Sequence, residues 1–386
     1  MPASTPSPRD ILAKLVAFDT TSSKSNLSII DYIESFLAGH GVDSRRVPSP
    51  DGAKACLYAT IGPRETSGIG LSGHTDCVPV TGQAWDTDPF TLVERDGRLY
   101  ARGAADMKGF LACMMASVPR FKAQPLRQPI HLLFSYDEEV GCLGVRPMIA
   151  EFDKALQRPR IVIVGEPTSM TVVDAHKGAN RFLTKVTGLD AHSSMPQLGV
   201  NAIKVAARLV GELGRIEADL NRRHSDPRFE PSYSTVGVGL IEGGTAPNIV
   251  PRTCSFSWDV RALPGLDARS IMAELMIFAE RECLPAMREV FPQSSIETTP
   301  VNLLPAFAAS RQSEAVTLAM RLANQNETYT VAYGTEAGLF DAGGSGSVIC
   351  GPGDIAQAHK PNEFIAVSEL DKCMAFLGRV ADAAAA

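Results

Sequence analysis

At 386 residues, the chain exceeds the size at which one hydrophobic core stops growing, which predicts two domains. Its 45% hydrophobic and 21% charged residues are those of a globular protein, and a net charge of −6 offers no basic surface for nucleic acid or anionic lipid. No apolar stretch reaches the roughly 18 residues that span a bilayer, so no membrane partner is expected.

The opening segment MPASTPSPRD lacks the basic and apolar regions of a signal peptide and reads as a short unstructured leader. Two helical stretches follow up to Leu37, with Ser7, Asp10 or Thr20 as candidate N-caps. The second, residues 27–39, sets Ile29, Ile30, Ile33, Phe36 and Leu37 on one face. Residues 55–61 and 68–72 read as strands around the turn Gly62-Pro63, and the second runs into His74 and Asp76. Asp106 lies in the glycine-bearing turn ARGAADMKG, before a helix over 107–121. A strand over 130–135 leads to Glu138 and Glu139, a helix covers 145–152, and the apolar strand 161–164 leads to Glu166. This alternation implies an α/β sheet covered on both faces.

After Lys177-Gly178 the pattern changes. Strands over 181–188, 234–241 and 254–260 alternate in polarity, and helices over 201–216 and 270–281 lie between and after them, which suggests an α+β domain whose antiparallel sheet is open on one side. From about Leu303 the α/β signature returns, with a helix over 313–324, a strand over 347–350 leading toward His359, and a helix over 368–381. The expected organisation is a catalytic domain of residues 1–178 and 299–386, interrupted by an inserted domain of residues 179–298.

In open α/β sheets sites form beyond the carboxyl ends of strands, where His74, Asp76, Glu138, Glu139 and Glu166 fall. Imidazoles and carboxylates are ligands for zinc or a similar divalent ion, and so many acidic groups at one edge need a cation to offset their repulsion. Residues i and i+2 of an extended segment face the same way, so Asp76 can orient the His74 ring. Glu138 and Glu139 face opposite ways, which predicts one metal ligand and one free general base. The eight cysteines form no C-x-x-C pair, which points to reduced thiols in the cytoplasm. Cys77, beside Asp76, reads as buried packing, with a ligand or nucleophile as the alternative.

GHTDCVPV, ARGAADMKG, SYDEEVG, VGEPT and QAHKPNE together resemble the signatures of the M20 co-catalytic metallopeptidases and amidohydrolases, in order and spacing over nearly the whole chain. WDTDPFTLVERDGRLYARG, YGTEAGLF and CGPGDIAQAHKPNE are most similar to the acetylornithine deacetylase branch. The resemblance implies a zinc-peptidase-like α/β catalytic domain with a mixed sheet, interrupted by an α+β lid that also forms a homodimer. It implies two Zn2+ per subunit, with Co2+ or Mn2+ as substitutes. One is held by His74, Asp106 and Glu166, the other by Asp106, Glu139 and His359, and Asp106 bridges them. Glu138 is then the general base, Asp76 orients His74, and the Asp106-Met107 peptide bond is cis. The implied reaction is hydrolysis of the amide of an N-acyl amino acid, N2-acetyl-L-ornithine to ornithine and acetate, a step of arginine biosynthesis.

From spacing alone, His192 in LDAHSSMPQ reads as a residue near the N-cap of the helix that follows; the resemblance implies instead an oxyanion donor to the partner subunit's site. Asn248 and Arg252 resemble the pair that holds the substrate carboxylate. Glu336 in YGTEAGLF is a candidate for the ornithine ammonium, or a buried partner of a Lys or Arg. The alternatives within the fold are a succinyl-diaminopimelate desuccinylase, an acyl-lysine deacylase and a dipeptidase. A nucleotide-binding oxidoreductase lacks its G-x-G-x-x-G after the first strand, and a catalytically silent scaffold would lack a ligand or the base, whereas all are present.

Overall fold

A computed structural model describes residues 6–386. The chain forms two compact units. The first runs to Ala175 and takes in Ala308–Tyr329 and Thr335–Ala386; the second is His176–Phe307 with Thr330–Gly334.

The first half of the expected leader, residues 1–5, lies outside the described residues. The leader's last three residues, Pro8 to Asp10, are already helical, because Ser7 caps α1 (Pro8–Val16). The Asp10 amide donates to Ser7 Oγ and the Ser7 amide to Asp10 Oδ2, while Pro8 supplies a preset φ at the first position. Ile11, Leu12, Leu15 and Val16 then bury one face. Helix α2 (Leu27–Gly39) follows, with Ile29, Ile30, Ile33 and Leu37 buried.

The sheet of the first unit contains β1 (Ser44–Pro48), β2 (Ala55–Ile61), β3 (Ile69–His74), β6 (Ile130–Ser135), β7 (Ile161–Pro167), β8 (Val173–His176) and β15 (Gly346–Gly351), in the order β1-β2-β6-β3-β7-β15-β8. It is mixed: β3 is parallel to β6 and β7, and β7 to β15, while β1 and β2 are antiparallel. Every residue of β3, β6 and β7 is buried, which is why 161–164 reads as a continuous apolar run, while β3 and β6 also bury Ser72, His131 and Ser135. Ile69 lies opposite both Ile130 and Ile161, so the three strands start level. Their carboxyl ends, with the loops carrying Glu138 and Glu139, therefore reach one edge together.

Helix α3 (Gly109–Ala123) packs under that edge against α1 and α10 (Val367–Ala385). Two glycines permit its approach. A Cβ on Gly73 would lie 2.7 Å from Leu111 Cδ2, and one on Gly165 would lie 2.1 Å from the Phe110 ring. Each precedes a candidate ligand, His74 or Glu166. The helix begins two residues later than the spacing predicted, because Ala104–Lys108 forms an irregular turn containing the cis Asp106-Met107 bond. A small sheet of β4 (Val93–Arg95), β5 (Arg98–Tyr100) and β16 (Phe364–Ala366) was not legible in the periodicity, since three-residue strands give too short a pattern.

The second unit is an antiparallel sheet in the order β10-β11-β9-β12, formed by β9 (Ala179–Thr187), β10 (Thr235–Gly243), β11 (Thr253–Arg261) and β12 (Ser295–Leu304). Alternate residues of β9 and β11 bury against α5 (Ala202–Arg223) and α6 (Ala268–Phe278), with Phe182 stacked on Trp258 at 4.3 Å. The 298/299 boundary read from the sequence falls inside β12. Polar residues and Pro300 hide that strand, and an edge strand tolerates the proline through a register shift between Pro300 and Asn302. Among the described residues no helix is long and apolar enough to cross a membrane, and all eight cysteines are free and buried. Cys77 is among them, packed as the bland reading of it predicted.

Candidate metal-binding active site

His74, at the end of β3, is fully buried. Its Nδ1 lies 3.0 Å from the Asp76 carbonyl oxygen and 3.5 Å from Asp76 Oδ1. A carbonyl only accepts, so Nδ1 holds a proton and Nε2 is the nitrogen left for a ligand role. That Nε2 lies 3.0 Å from Asp106 Oδ1 and 4.0 Å from Glu166 Oε1. On the other side of the same carboxylate, His359 Nε2 lies 3.3 Å from Asp106 Oδ2 and 2.9 Å from Glu139 Oε2. Asp106 thus presents one oxygen to each histidine.

Asp76 does more than face a ring. Its Oδ1 accepts from the Glu138 amide at 3.2 Å, and its Oδ2 from the Glu139 amide at 3.3 Å and from Ser22 Oγ at 2.7 Å. One carboxylate therefore ties the loop after β3 to the loop after β6. Both glutamates lie beyond β6 on a turn rather than on extended chain, and each joins a group able to hold a metal ion. Glu139 groups with His74 and Asp106, and Glu138 with His74 and Glu166, ligand atoms in each group lying within 4.8 Å of one another.

Burial first, then the charge of neighbouring carboxylates, pushes Glu138, Glu139 and Glu166 above the usual carboxylate range. Asp106 goes the other way: against its burial, hydrogen bonds from His359 and His74 hold it well below that range. His359 is raised to about 10 by its contacts with Asp106 and then Glu139. The donor set fits divalent cations. Two ligands of one ion, with bonds of about 2.0 Å at a tetrahedral angle, stand roughly 3.3 Å apart. Glu166 Oε1 is moreover buried with no hydrogen-bond partner, an acceptor awaiting a charge.

Residues 70–383 match the sequence profile of Peptidase family M20/M25/M40. The acetylornithine deacetylase of Myxococcus xanthus is 35% identical over 379 residues, covering 97% of this chain and 96% of that protein. The chain belongs to the M20 family. It is accordingly a hydrolase of amide bonds. An M20 metallo-carboxypeptidase from Sulfolobus solfataricus has the same fold, with a TM-score of 0.76 at 19% identity over 98% of this chain and 99% of that one. So does a Bacillus subtilis protein described as a dinuclear metal binding peptidase of the M20 family, with a TM-score of 0.68 at 15% identity over 97% and 96% of the two chains.

The remaining M20 candidates lie elsewhere. In the second unit His192 pairs with Ile249 across a β-bridge, and the Ser193 amide donates to the Asn248 carbonyl at 3.0 Å, so His192 and Asn248 share one loop cluster. His192, Asn248 and Arg252 are all exposed. The Ser194 amide donates to His192 Nδ1 at 3.2 Å, which leaves the neutral ring's proton on Nε2. Arg252 lies 3.4 Å from Asp190. In the first unit Glu336 opens α9 (Ala337–Ala342), only 1% exposed. Ser72 Oγ donates to its Oε2 at 3.2 Å, its Oε1 is unpartnered, and burial pushes it up to about 7. It has no Lys or Arg partner among the described residues.

Sequence reasoning missed Ser22, Cys142 and Glu363. The Cys142 thiol contacts Glu138 Oε1 at 3.2 Å. Glu363 lies in the quoted segment QAHKPNE, yet only its histidine drew attention. In the structure Glu363 Oε1 accepts from the amides of Ala105 and Asp106 at 2.9 and 3.1 Å, directly beneath the central carboxylate. Ser22 belongs to the polar run DTTSS between two helices, a signal that was available.

Proposed function

We propose that the chain hydrolyses the amide of an N-acyl amino acid, with N2-acetyl-L-ornithine as substrate and ornithine and acetate as products, a step of arginine biosynthesis in the cytoplasm. The observation that carries the hydrolytic reading is the Asp106 carboxylate presented between His74 and His359 with Glu138 beside it. The choice of substrate rests on the near full-length identity to proteins named acetylornithine deacetylase.

His74, Asp106 and Glu166 hold one Zn2+ in this reading, and Asp106, Glu139 and His359 the other; Co2+ or Mn2+ can replace them. Bound there, such ions polarise an amide carbonyl and acidify an attacking water. Glu138 takes the proton of that water and passes it to the departing nitrogen, and its environment, which favours the protonated acid, suits the second of these transfers. Asp76 keeps the His74 ring and the amides of Glu138 and Glu139 in place. Arg252 and Asn248 bind the substrate carboxylate, and the Nε2–H of His192, from the partner subunit, donates to the oxyanion. The unpartnered Oε1 of Glu336 is the acceptor for the ornithine ammonium.

The second unit supports a homodimer. Its edge strand β10 exposes Leu240 at 74% and Ile241 at 55%, an apolar edge that a second copy would cover. Sedimentation should give twice the chain mass.

The deciding experiment is a panel assay of the metal-reconstituted protein on acetylornithine, succinyl-diaminopimelate, acetyl-lysine and dipeptides. The expected result is the highest kcat/KM on acetylornithine; a higher value on another member of the panel replaces the substrate assignment. Glu336→Gln should lower turnover of acetylornithine more than that of acetylmethionine, and an equal loss on both removes Glu336 from ammonium recognition.

A further inference from the structure

Asp106 and His359 lie 253 positions apart in the chain and come from loops with no strand register in common. His359 is 55% exposed and sits at φ +63, a backbone conformation that L-residues rarely adopt, so something must hold its loop. Gln83 does so directly, its side-chain amide donating to the His359 carbonyl at 2.8 Å. The Gln83 carbonyl oxygen accepts from Trp85 Nε1 at 3.1 Å and from the Arg102 guanidinium. Arg102, 1% exposed, donates in turn to Glu363 Oε2 at 2.7 Å and lies under the Trp85 ring at 5.1 Å. Glu363 completes the chain of contacts by accepting from the amides of Gly103, Ala105 and Asp106.

We infer that Gln83, Arg102 and Glu363 form a brace that fixes the separation of Asp106 and His359, making them positioning residues for the ion that these two residues share with Glu139. The inference rests on the two-ion reading above. A buried ion pair is a poor source of stability in itself but a good device for specifying one geometry. Here both carboxylate oxygens of Glu363 accept from amides of the turn carrying Asp106, and the guanidinium bridges it to the Gln83 side chain, which grips the His359 backbone. Among the described residues neither His74 nor Glu166 is hydrogen-bonded to Gln83, Arg102 or Glu363, and His74 meets the brace only through Asp106. Loosening its Gln83 end should therefore weaken one ion and spare the other, whereas a general structural lesion would affect both.

The test is calorimetric titration of the metal-free full-length chain with Zn2+, with circular dichroism confirming the fold of each variant. Wild type should bind two ions per chain. Glu363→Gln keeps volume but loses an acceptor beneath Asp106, and Gln83→Ala removes a partly exposed side chain that the core does not need. Gln83→Ala should weaken only the ion that His359 holds, by about tenfold to a hundredfold, whereas Glu363→Gln, acting beneath the carboxylate that both ions share, should weaken both. If Glu363→Gln does not fold, Gln83→Ala decides alone. Two ions bound at wild-type affinities in Gln83→Ala overturn the brace while leaving the two-ion reading intact. Fewer than two ions in wild type overturns that reading, and the brace with it.

Discussion

His74 in the first unit and His192 in the second are proposed to serve one reaction, and they are held in opposite ways. His74 is fully buried, with one nitrogen on a backbone carbonyl and the other facing Asp106. His192 is exposed, and its ring is fixed by the main chain and side chain of Ser194 alone. The contrast extends to their neighbours. Asp76, Asp106 and Glu166 are buried and mutually constrained, whereas Asn248 and Arg252 are exposed on a loop cluster. The first arrangement stores unfavourable electrostatics that a cation relieves. The second leaves its donors in solvent, where the proposed reading has them meet the substrate.

The largest test of this contrast is Glu138→Ala. Turnover should fall by roughly 10²–10⁴ while metal content, measured by atomic absorption, stays at the wild-type level. Retained activity in a metal-replete variant removes Glu138 from the proton transfers. His192→Ala should come next, lowering kcat by about 10²–10³ with metal content unchanged, the loss typical of one oxyanion donor. If His192→Ala instead releases metal, the division of labour between the units is wrong.

Metal removal acts on stability in the reverse sense, touching the first unit and not the second. Each ion present at about a hundred times its dissociation constant adds about 2.7 kcal/mol to the state that binds it, so two add about 5 kcal/mol. Chelation should therefore lower hydrogen-exchange protection in β3, β6 and β7 by about that amount and leave β9 and β11 unchanged. Equal losses in both units would erase the comparison.

How legible each unit was follows from the same physics. The strands β3, β6 and β7 announce themselves because burial on both faces demands mostly apolar residues, and the candidate ligands lie at or just beyond their ends. Which of Glu138 and Glu139 is the base came from the family resemblance: alternation separates two neighbours on extended chain without naming either, and the pair sits on a turn beyond β6. The brace through Gln83, Arg102 and Glu363 was invisible, since its members lie up to 280 positions apart and each alone looks like a solvated polar residue. The edge strand β12 was missed because its exposed residues need not alternate, and Pro300 argues locally against a strand. His192 had no readable signal from spacing: an exposed histidine beside a serine is what any loop offers, and only the family resemblance singles it out.

The smallest effect concerns two histidines outside the site, one in each unit. In the first, Tyr58 donates its hydroxyl hydrogen to the Gln157 carbonyl at 2.6 Å and accepts from His131 Nδ1 at 2.7 Å. In the second, His176 Nδ1 donates to the Lys177 carbonyl at 2.8 Å. In both, Nε2 is buried without a partner, so adding a proton there creates an N–H with no acceptor. Burial accordingly pushes each from the usual 6.5 down to about 4. Between those values the unfolded chain takes up a proton at each histidine that the folded chain refuses, so stability is full above the upper value and declines as the pH falls toward the lower one. For His131 the decline amounts to about 2 kcal/mol at pH 5. His131→Gln should be less stable than wild type at neutral pH, but its urea midpoint should fall less steeply between pH 7 and pH 5, because the remaining decline belongs to His176 and the carboxylates. Parallel midpoint curves for variant and wild type would mean that His131 keeps its usual value of 6.5 in the folded first unit, the buried Nε2 having found a partner.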